Sequence, residues 1–539
     1  MSGRSATNGG LSRRGLLLGT AAAAAGGIMA PGTAAGAESA PPQPPGGGCP
    51  PPPGAVTVAR DDARYADLTR VYNGRHTARP ESVRVVYTAD QIVAVVEEAV
   101  RAGKRIAVRS GGHCFEDFVH DPDVQIIVDV SQMHAVYFDS LHRAYAVEAG
   151  ATLGHLYRSL YLGWGVTVPG GGCPSVGVGG HILGGGYGAL SRKHGLVIDH
   201  LYGVEVVVVE KSGRVRRVLA TRDPRDPDRD LWWAHAGGGG GNFGIVVRYL
   251  LRSPSADGDA LLPRPPRTVP ATTVTWRWDD VDERAFTRLL RNHAEWHERD
   301  EASGKPQVDL GSSLLLTHRA TGQFQLFVHA DGENADRLMR EYVDEVTRGV
   351  GASPTTEKDE LPWLTNVLST ESYLGGHAFK SKAAFLRARW TDGQIATVHK
   401  YLNDGDERWG ASVYLTALGG QVNAAGPADT AFPHRNSIFS VVYDLTWEDP
   451  GNEGELAWIR RFYRDVYAET GGVPVAGKAN DGCYINYPDA DVADPEWNTS
   501  GVPWHALYYG DNYPRLQRVK ARWDPRNVFR HRLSVRPPR

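Results

Sequence analysis

Gly172-Cys173-Pro174-Ser175-Val176-Gly177-Val178-Gly179-Gly180-His181-Ile182-Leu183-Gly184-Gly185-Gly186-Tyr187-Gly188 is the stretch on which the reading of this 539-residue chain turns. Eight of its seventeen residues are glycine, and Pro169-Gly170-Gly171 leads into it. Glycine runs of this kind let backbone N–H groups come close to a phosphate. The nicotinamide-dinucleotide pattern G-x-G-x-x-G fails, because Gly177-Val178-Gly179-Gly180-His181 is followed by Ile182 where the last glycine should stand. A nicotinamide Rossmann site is therefore not supported.

Two more glycine runs flank this one. Upstream, Arg105-Ile106-Ala107-Val108-Arg109 reads as a strand running into Ser110-Gly111-Gly112-His113-Cys114. Downstream, the run from Gly237 closes on Gly241-Asn242-Phe243-Gly244-Ile245-Val246. Strands and helices alternate around them. Val83 to Tyr87 predicts a strand, Thr88 an N-cap, and Ile92, Val93, Val96 and Val100 the apolar stripe of a helix that Gly103 ends. Residues 125–129 and 144–148 predict further strands. Val204 to Val209 is a continuous β-branched run, as in a strand buried on both faces.

From about residue 253 to 270 the composition turns to Pro, Arg and Asp, which marks a boundary. Beyond it, Trp276 and Trp278 fall in a strand, and Phe286, Leu289, Leu290 and His293 on one helix face. Residues 313–317 and 323–329 predict strands, 335–346 a helix, and 516–523 a terminal helix. His293-Ala294-Glu295-Trp296-His297 imitates a zinc-binding helix, but its glutamate is misplaced for His-Glu-x-x-His, so it reads as a helix surface. No later stretch is long and apolar enough to span a membrane.

Lysine plus arginine number 59 against 62 acids, for a net charge of −3, which gives no footprint for nucleic acid or an anionic membrane. Four cysteines without a Cys-x-x-Cys pair exclude a disulfide scaffold and a zinc ribbon. Ser12-Arg13-Arg14-Gly15-Leu16-Leu17, an Ala-rich apolar stretch and Ala35-Gly36-Ala37 have the form of a twin-arginine export signal with its cleavage site. The protein is thus expected to use the twin-arginine machinery and to be secreted. A Pro/Gly-rich linker carrying Cys49 follows.

The glycine motifs, together with Phe379-Lys380-Ser381-Lys382, Tyr484-Ile485-Asn486-Tyr487 and Asp524-Pro525-Arg526-Asn527-Val528-Phe529, resemble the berberine-bridge-enzyme-like flavoprotein oxidases. The resemblance spans about residues 65–536. It implies an α+β fold: a two-part FAD-binding domain of the vanillyl-alcohol-oxidase (PCMH) type, with an inserted substrate domain of antiparallel sheet covered by helices. The expected segments are 1–37 signal, 38–55 linker, 56–254 FAD-binding, 255–473 substrate-binding and 474–539 returning to the FAD-binding part.

The resemblance places two covalent flavin bonds, on His113 and Cys173. Cys114 follows on an extended turn that should point its side chain away, and it is given no bond. Implied to line the FAD are Arg109, Ser110, Gly111, Gly112 and Cys114; Pro169, Gly170, Gly172, Val176, Gly177, Gly179, Gly180, His181, Gly184, Gly185, Tyr187 and Gly188; Asp199; Gly241, Asn242, Gly244, Ile245 and Val246; and Tyr484 and Asn486. Tyr487 is the implied base for a substrate hydroxyl as hydride leaves for the flavin. A phenol near pKa 10 needs help to act so, and Tyr414, Lys380 and Lys382 are the candidates. Tyr484 and Tyr487, three apart, would face opposite sides of a strand, so only one should face the flavin. By the same resemblance Val176 marks a pocket for dioxygen, which implies an oxidase releasing hydrogen peroxide.

The implied reaction converts a hydroxyl of a sugar or of a glycosylated or polyketide natural product to a carbonyl or lactone. A general mono- or oligosaccharide oxidase, an oxidative cyclase of secondary metabolism, and a drug-sequestering flavoprotein are the competing readings. The expected partners are that small molecule and dioxygen, with no metal, no nucleic acid and no membrane, in a monomer or homodimer.

Overall fold

A computed structural model describes residues 52–254, 260–299, 306–369 and 374–538. The expected export signal and Cys49 lie outside these residues. Strands β1 (Val56–Ala59), β2 (Ser82–Val85), β3 (Ile106–Arg109) and β4 (Ile126–Asp129) form a sheet in the order β1-β2-β4-β3. The β2–β4 and β4–β3 pairs are parallel, so the chain must cross over between them. The helix Ala89–Ala102 makes that crossing. Its N-cap Thr88 accepts a hydrogen bond from the Gln91 amide at 3.3 Å, and Gly103, at φ 64°, ends it in the left-handed conformation. The carboxyl end of β3 then delivers Arg109 into the first glycine loop.

A second sheet holds β5 (Val136–Asp139), β6 (Ala144–Glu148), β7 (Leu201–Val209), β8 (Val215–Thr221) and β9 (Ile245–Leu251), in the order β5-β6-β9-β7-β8, all antiparallel. The valine run forms β7, and Val204, Val206, Val207 and Val209 are fully buried there. The third glycine run feeds β9 directly. Gly244 has to be glycine, because a Cβ there would lie 2.5 Å from the Val207 carbonyl oxygen.

The third sheet is antiparallel throughout. It contains β10 (Thr268–Arg277), β11 (Leu310–Thr317), β12 (Gln323–Ala330), β13 (Thr355–Pro362), β14 (Ala378–Leu386), β15 (Ala411–Ala417) and β16 (Phe439–Trp447), in the order β13-β10-β12-β11-β15-β16-β14. One face is apolar (Val274, Trp276, Leu314, Leu326, Val413, Val441) and packs with the helices Glu283–Arg299, Ala335–Thr347, Asp392–Leu402 and Glu453–Val466 into a core of its own. The alternate residues form a half-buried opposite face: Thr275, Ser313, Leu315, Gln325, Phe327, Tyr414 and Thr416. A period of two thus divides the sheet into a core side and an open side.

The His293–His297 pair departs from the expected helix surface. Both rings are buried, His293 Nδ1 against the Tyr342 hydroxyl at 2.6 Å and His297 Nε2 against Ser312 Oγ at 2.9 Å. Spacing on a helix does not reveal which face a tyrosine and a serine of other elements will satisfy. Among the described residues no group of histidine, cysteine and acids could hold a metal ion, and no helix is long and apolar enough to cross a membrane.

Candidate active site

The first two glycine loops lie back to back. A Cβ on Gly111 would stand 2.3 Å from the Gly177 nitrogen, and one on Gly177 would stand 2.2 Å from the Gly111 nitrogen. Only backbones without side chains can approach so closely. Ser110 Oγ anchors the first loop by donating to the Ala149 carbonyl at 2.6 Å. Gly177→Ala should therefore force the loops apart and destabilise the fold by about 3 kcal/mol, as overpacking does; a chemical-denaturation midpoint equal to wild type would refute this contact.

The apposition opens a cavity of about 400 Å³, within the range of small-molecule sites. His113 and Cys173 share its wall with Gly112, Gly172, Val176 and Gly180. Ser175 lies between the two candidate attachment residues, its Oγ 3.1 Å from His113 Nε2 and 3.4 Å from Cys173 Sγ. The Tyr72 ring packs on the His113 ring at 4.1 Å. Burial lowers the imidazole to about 4, so it is neutral and keeps a nucleophilic lone pair. Cys114 belongs to the wall too, and burial pushes its thiol up to about 12.

Tyr484 and Tyr487 enter from the C-terminal segment. They lie in a turn, not a strand: the Tyr487 amide donates to the Tyr484 carbonyl at 3.0 Å. Both rings consequently face the cavity, edge to face at 5.1 Å, which corrects the expectation that only one could. Tyr484 Oη accepts from the Gly186 amide at 3.0 Å and from Asn486 Nδ2 at 2.9 Å, and Asn486 Nδ2 also donates to the His181 carbonyl at 2.8 Å. His181 accepts the Gly171 amide at 3.2 Å and is held near 4 by burial.

Tyr487 Oη lies 3.1 Å from Tyr187 Oη, which donates to Ser440 Oγ at 3.0 Å. Phe115 stacks on the Tyr487 ring at 5.5 Å. Burial holds the Tyr487 phenol well above its ordinary value, with Tyr187 and Asp444 adding to the effect.

The far end of the cavity is closed by Gly240, Gly241, Phe529, Arg530 and His531. His531 Nε2 meets the Gly240 carbonyl at 3.1 Å, and its buried Nδ1 has no partner. Lys520 ties this end together, donating to the carbonyls of Asn242 at 2.6 Å and Phe529 at 2.5 Å and to Asp524 at 2.6 Å.

Residues 80–218 match the "FAD binding domain" family, and residues 483–536 the "Berberine and berberine like" family. The chain is 53% identical to the aclacinomycin-N/aclacinomycin-A oxidase of Streptomyces galilaeus over 491 residues, covering 90% of each. The crystal structure of aclacinomycin oxidoreductase superposes with a TM-score of 0.88 at 52% identity, over 90% of this chain and 100% of that one. A glycopeptide hexose oxidase, solved in complex with teicoplanin, gives 0.87 at 49%, over 91% and 100%. The chain belongs to the berberine-bridge-enzyme-like FAD oxidases.

As a member of this family it is an FAD-dependent oxidoreductase with the PCMH-type fold. Its walls suit that cofactor. A Cβ on Gly180 would meet nothing within 4 Å, leaving a bare backbone cradle at the cavity, and His531, a residue of the wall, has a buried nitrogen left for a cofactor group to satisfy. Arg109, Ser110, Gly112, Cys114, Gly172, Val176, Gly177, Gly179, Gly180, His181, Tyr187, Gly241, Gly244, Ile245, Val246, Tyr484 and Asn486 all line the cavity.

Other expected cofactor residues stand outside its wall. Gly111, Gly170, Gly184, Gly185 and Gly188 pack closely against neighbouring parts of the chain; a Cβ on Gly188, for example, would lie 1.8 Å from the Gly170 oxygen. The Pro169 carbonyl accepts from Ser191 Oγ at 3.1 Å. Asn242 is buried behind the third loop, its Nδ2 on the Gly238 carbonyl at 2.9 Å. Asp199 is held by Arg435 at 2.7 Å and caps the Leu196 amide at 2.8 Å.

Lys380 and Lys382 do not reach Tyr487, which corrects their expected role. Both ammonium groups are buried among carboxylates: Lys380 pairs with Glu116 and with Asp489 at 2.7 Å, and Lys382 with Asp489 at 2.5 Å and Asp491 at 2.9 Å. Tyr414 sits on the open face of β15, hydrogen-bonded to Ser313. The hydroxyl on Tyr487 comes instead from Tyr187. Sequence reading missed Tyr72, Phe115, Ser175, Ser440 and the Phe529–His531 end. Two signals stood in the sequence: Phe115 follows His113 by two residues, and Arg530-His531 continues the C-terminal motif.

Proposed function

We propose that the protein oxidises a hydroxyl group of a sugar, or of a glycosylated or polyketide natural product, to a carbonyl or lactone and passes the electrons to dioxygen as hydrogen peroxide. The observation that carries this reading is the line Tyr487–Tyr187–Ser440, which runs from the cavity to the open face of the third sheet. That face mixes Phe327, Tyr414 and Leu315 with Ser313, Gln325 and Thr416. Rings and short polar groups side by side suit a molecule with both hydroxyls and apolar faces. The relatives that act on aclacinomycins and on a glycopeptide hexose support the same class.

The cavity wall would hold FAD, which would supply the hydride acceptor for the substrate carbon. Tyr487 takes the hydroxyl proton. Its phenol is neutral at rest, so it accepts as its own proton moves to Tyr187, that of Tyr187 to Ser440, and that of Ser440 to solvent on the open face of the third sheet. His113 and Cys173 would hold the cofactor by two covalent bonds, and the protein would be exported through the twin-arginine route.

Anaerobic mixing with mono- and oligosaccharides and with glycosylated aromatic polyketides tests the reaction. Bleaching of the flavin by one of these, with stoichiometric peroxide on admitting air, is the expected result; a flavin that no alcohol reduces would overturn it. Val176 lines the cavity beside Gly177. Val176→Leu should slow reoxidation by dioxygen about tenfold or more and leave reduction by substrate nearly unchanged, as read by stopped-flow absorbance of each half-reaction.

A further inference from the structure

Ser175 is exposed, yet its hydroxyl lies within hydrogen-bond distance of two side chains that come from different glycine loops. Nothing in packing requires a serine there. Its position is fixed from below by the Gly111–Gly177 contact, since the Ser175 carbonyl itself lies 3.0 Å from a Cβ built on Gly111. The three groups form a line, His113 Nε2–Ser175 Oγ–Cys173 Sγ. We propose that Ser175 is a positioning residue for cofactor attachment, taking a hydrogen bond from His113 Nε2–H and giving its own to Cys173 Sγ. This rests on the reading that His113 and Cys173 are the attachment residues.

Only this polarity prepares both nucleophiles at once. With the proton on Nε2, the lone pair of the neutral imidazole stands on Nδ1, free of the serine. With the serine proton on sulfur, the sulfur is favoured as thiolate, the reactive form. The opposite polarity puts the proton on Nδ1 and leaves the thiol as donor, disarming both. Burial, which lowers His113 to about 4, keeps the imidazole in the neutral form the line requires. Each attachment forms one bond, N–C to the ring methyl or S–C to the ring. Each releases the side-chain proton and one C–H proton and leaves two electrons on the flavin, which dioxygen removes as hydrogen peroxide.

The experiment compares wild type, Ser175→Ala and Ser175→Thr. Each purified protein is held with FAD in air, denatured at intervals, and read by intact mass and by mapping of the His113 and Cys173 peptides. Wild type and Ser175→Thr should carry one FAD on both peptides. Ser175→Ala should form the Cys173 adduct at least tenfold more slowly, and the deficit should shrink as pH is raised from about 7 to about 9, where solvent supplies thiolate. A purely structural serine would give no such pH rescue. Ser175→Ala attaching at both residues at the wild-type rate would overturn the proposal and leave the attachment reading standing. Wild type with no adduct on either peptide would overturn both.

Discussion

Tyr487→Phe should lower kcat about a thousandfold, the scale of a lost general base, with the flavin bound and its spectrum close to wild type. The phenol oxygen is what the substitution removes. The ring keeps its stacking on Phe115 and its edge against Tyr484, so the cavity should keep its shape. Anaerobic reduction by substrate should show the loss in the chemical step, while reoxidation by dioxygen should be little affected. Tyr187→Phe should fall between the two, because Tyr487 would keep its hydroxyl and lose the group that receives its proton. Near-normal reduction by Tyr487→Phe would refute the assignment of the proton acceptor.

Lys380→Met should cost about 3–5 kcal/mol, the usual result of leaving buried charge without its partner. Lys380 and Lys382 are almost fully buried, as are Glu116, Asp489 and Asp491. Arg75 also holds Glu116, at 3.2 Å, and Arg460 holds Asp491 at 2.8 Å. The pH dependence has a definite sign. Burial by itself would raise Glu116 and Asp491, but Lys380 overrides it, with Arg75 helping at Glu116 and Lys382 at Asp491, and both stay below their ordinary values. Carboxylates lowered on folding contribute stability that is complete above their unfolded pKa of about 4 and lost as pH falls through the folded values. The penalty of Lys380→Met should accordingly shrink between about pH 5 and about pH 3, where the orphaned carboxylates can protonate. Thermal melts of both proteins across that range measure it; a penalty that does not change with pH would show that the ion lattice is not its source.

The parts legible in the sequence share one property: their cause is local. Thr88 and Gly103 bound their helix because a cap needs a particular side chain and a left-handed residue at a particular place. The β-branched run from Val204 forms β7 for a similar reason. His113 and Cys173 stand on glycine turns and face one cavity, and glycine turns are visible as letters. What escaped was set by partners far along the chain. Lys380 and Lys382 read as available cations until Asp489 and Asp491 arrive from more than a hundred residues away. His293 and His297 read as surface until Tyr342 and Ser312 close over them. Tyr484 and Tyr487 were given a strand's geometry, and one backbone hydrogen bond between them makes a turn that aims both inward. The tyrosine that pairs with Tyr487 lay within the first quoted stretch, where it read as part of a cofactor loop.

The cavity is closed by residues that lie far along the chain from its glycine loops. Phe529, Arg530 and His531 form one wall, and Lys520 binds them to the loop at Asn242, nearly three hundred residues earlier in synthesis. A chain cut before Phe529 lacks that wall, and the pocket that its distant glycine loops shape is then left incomplete.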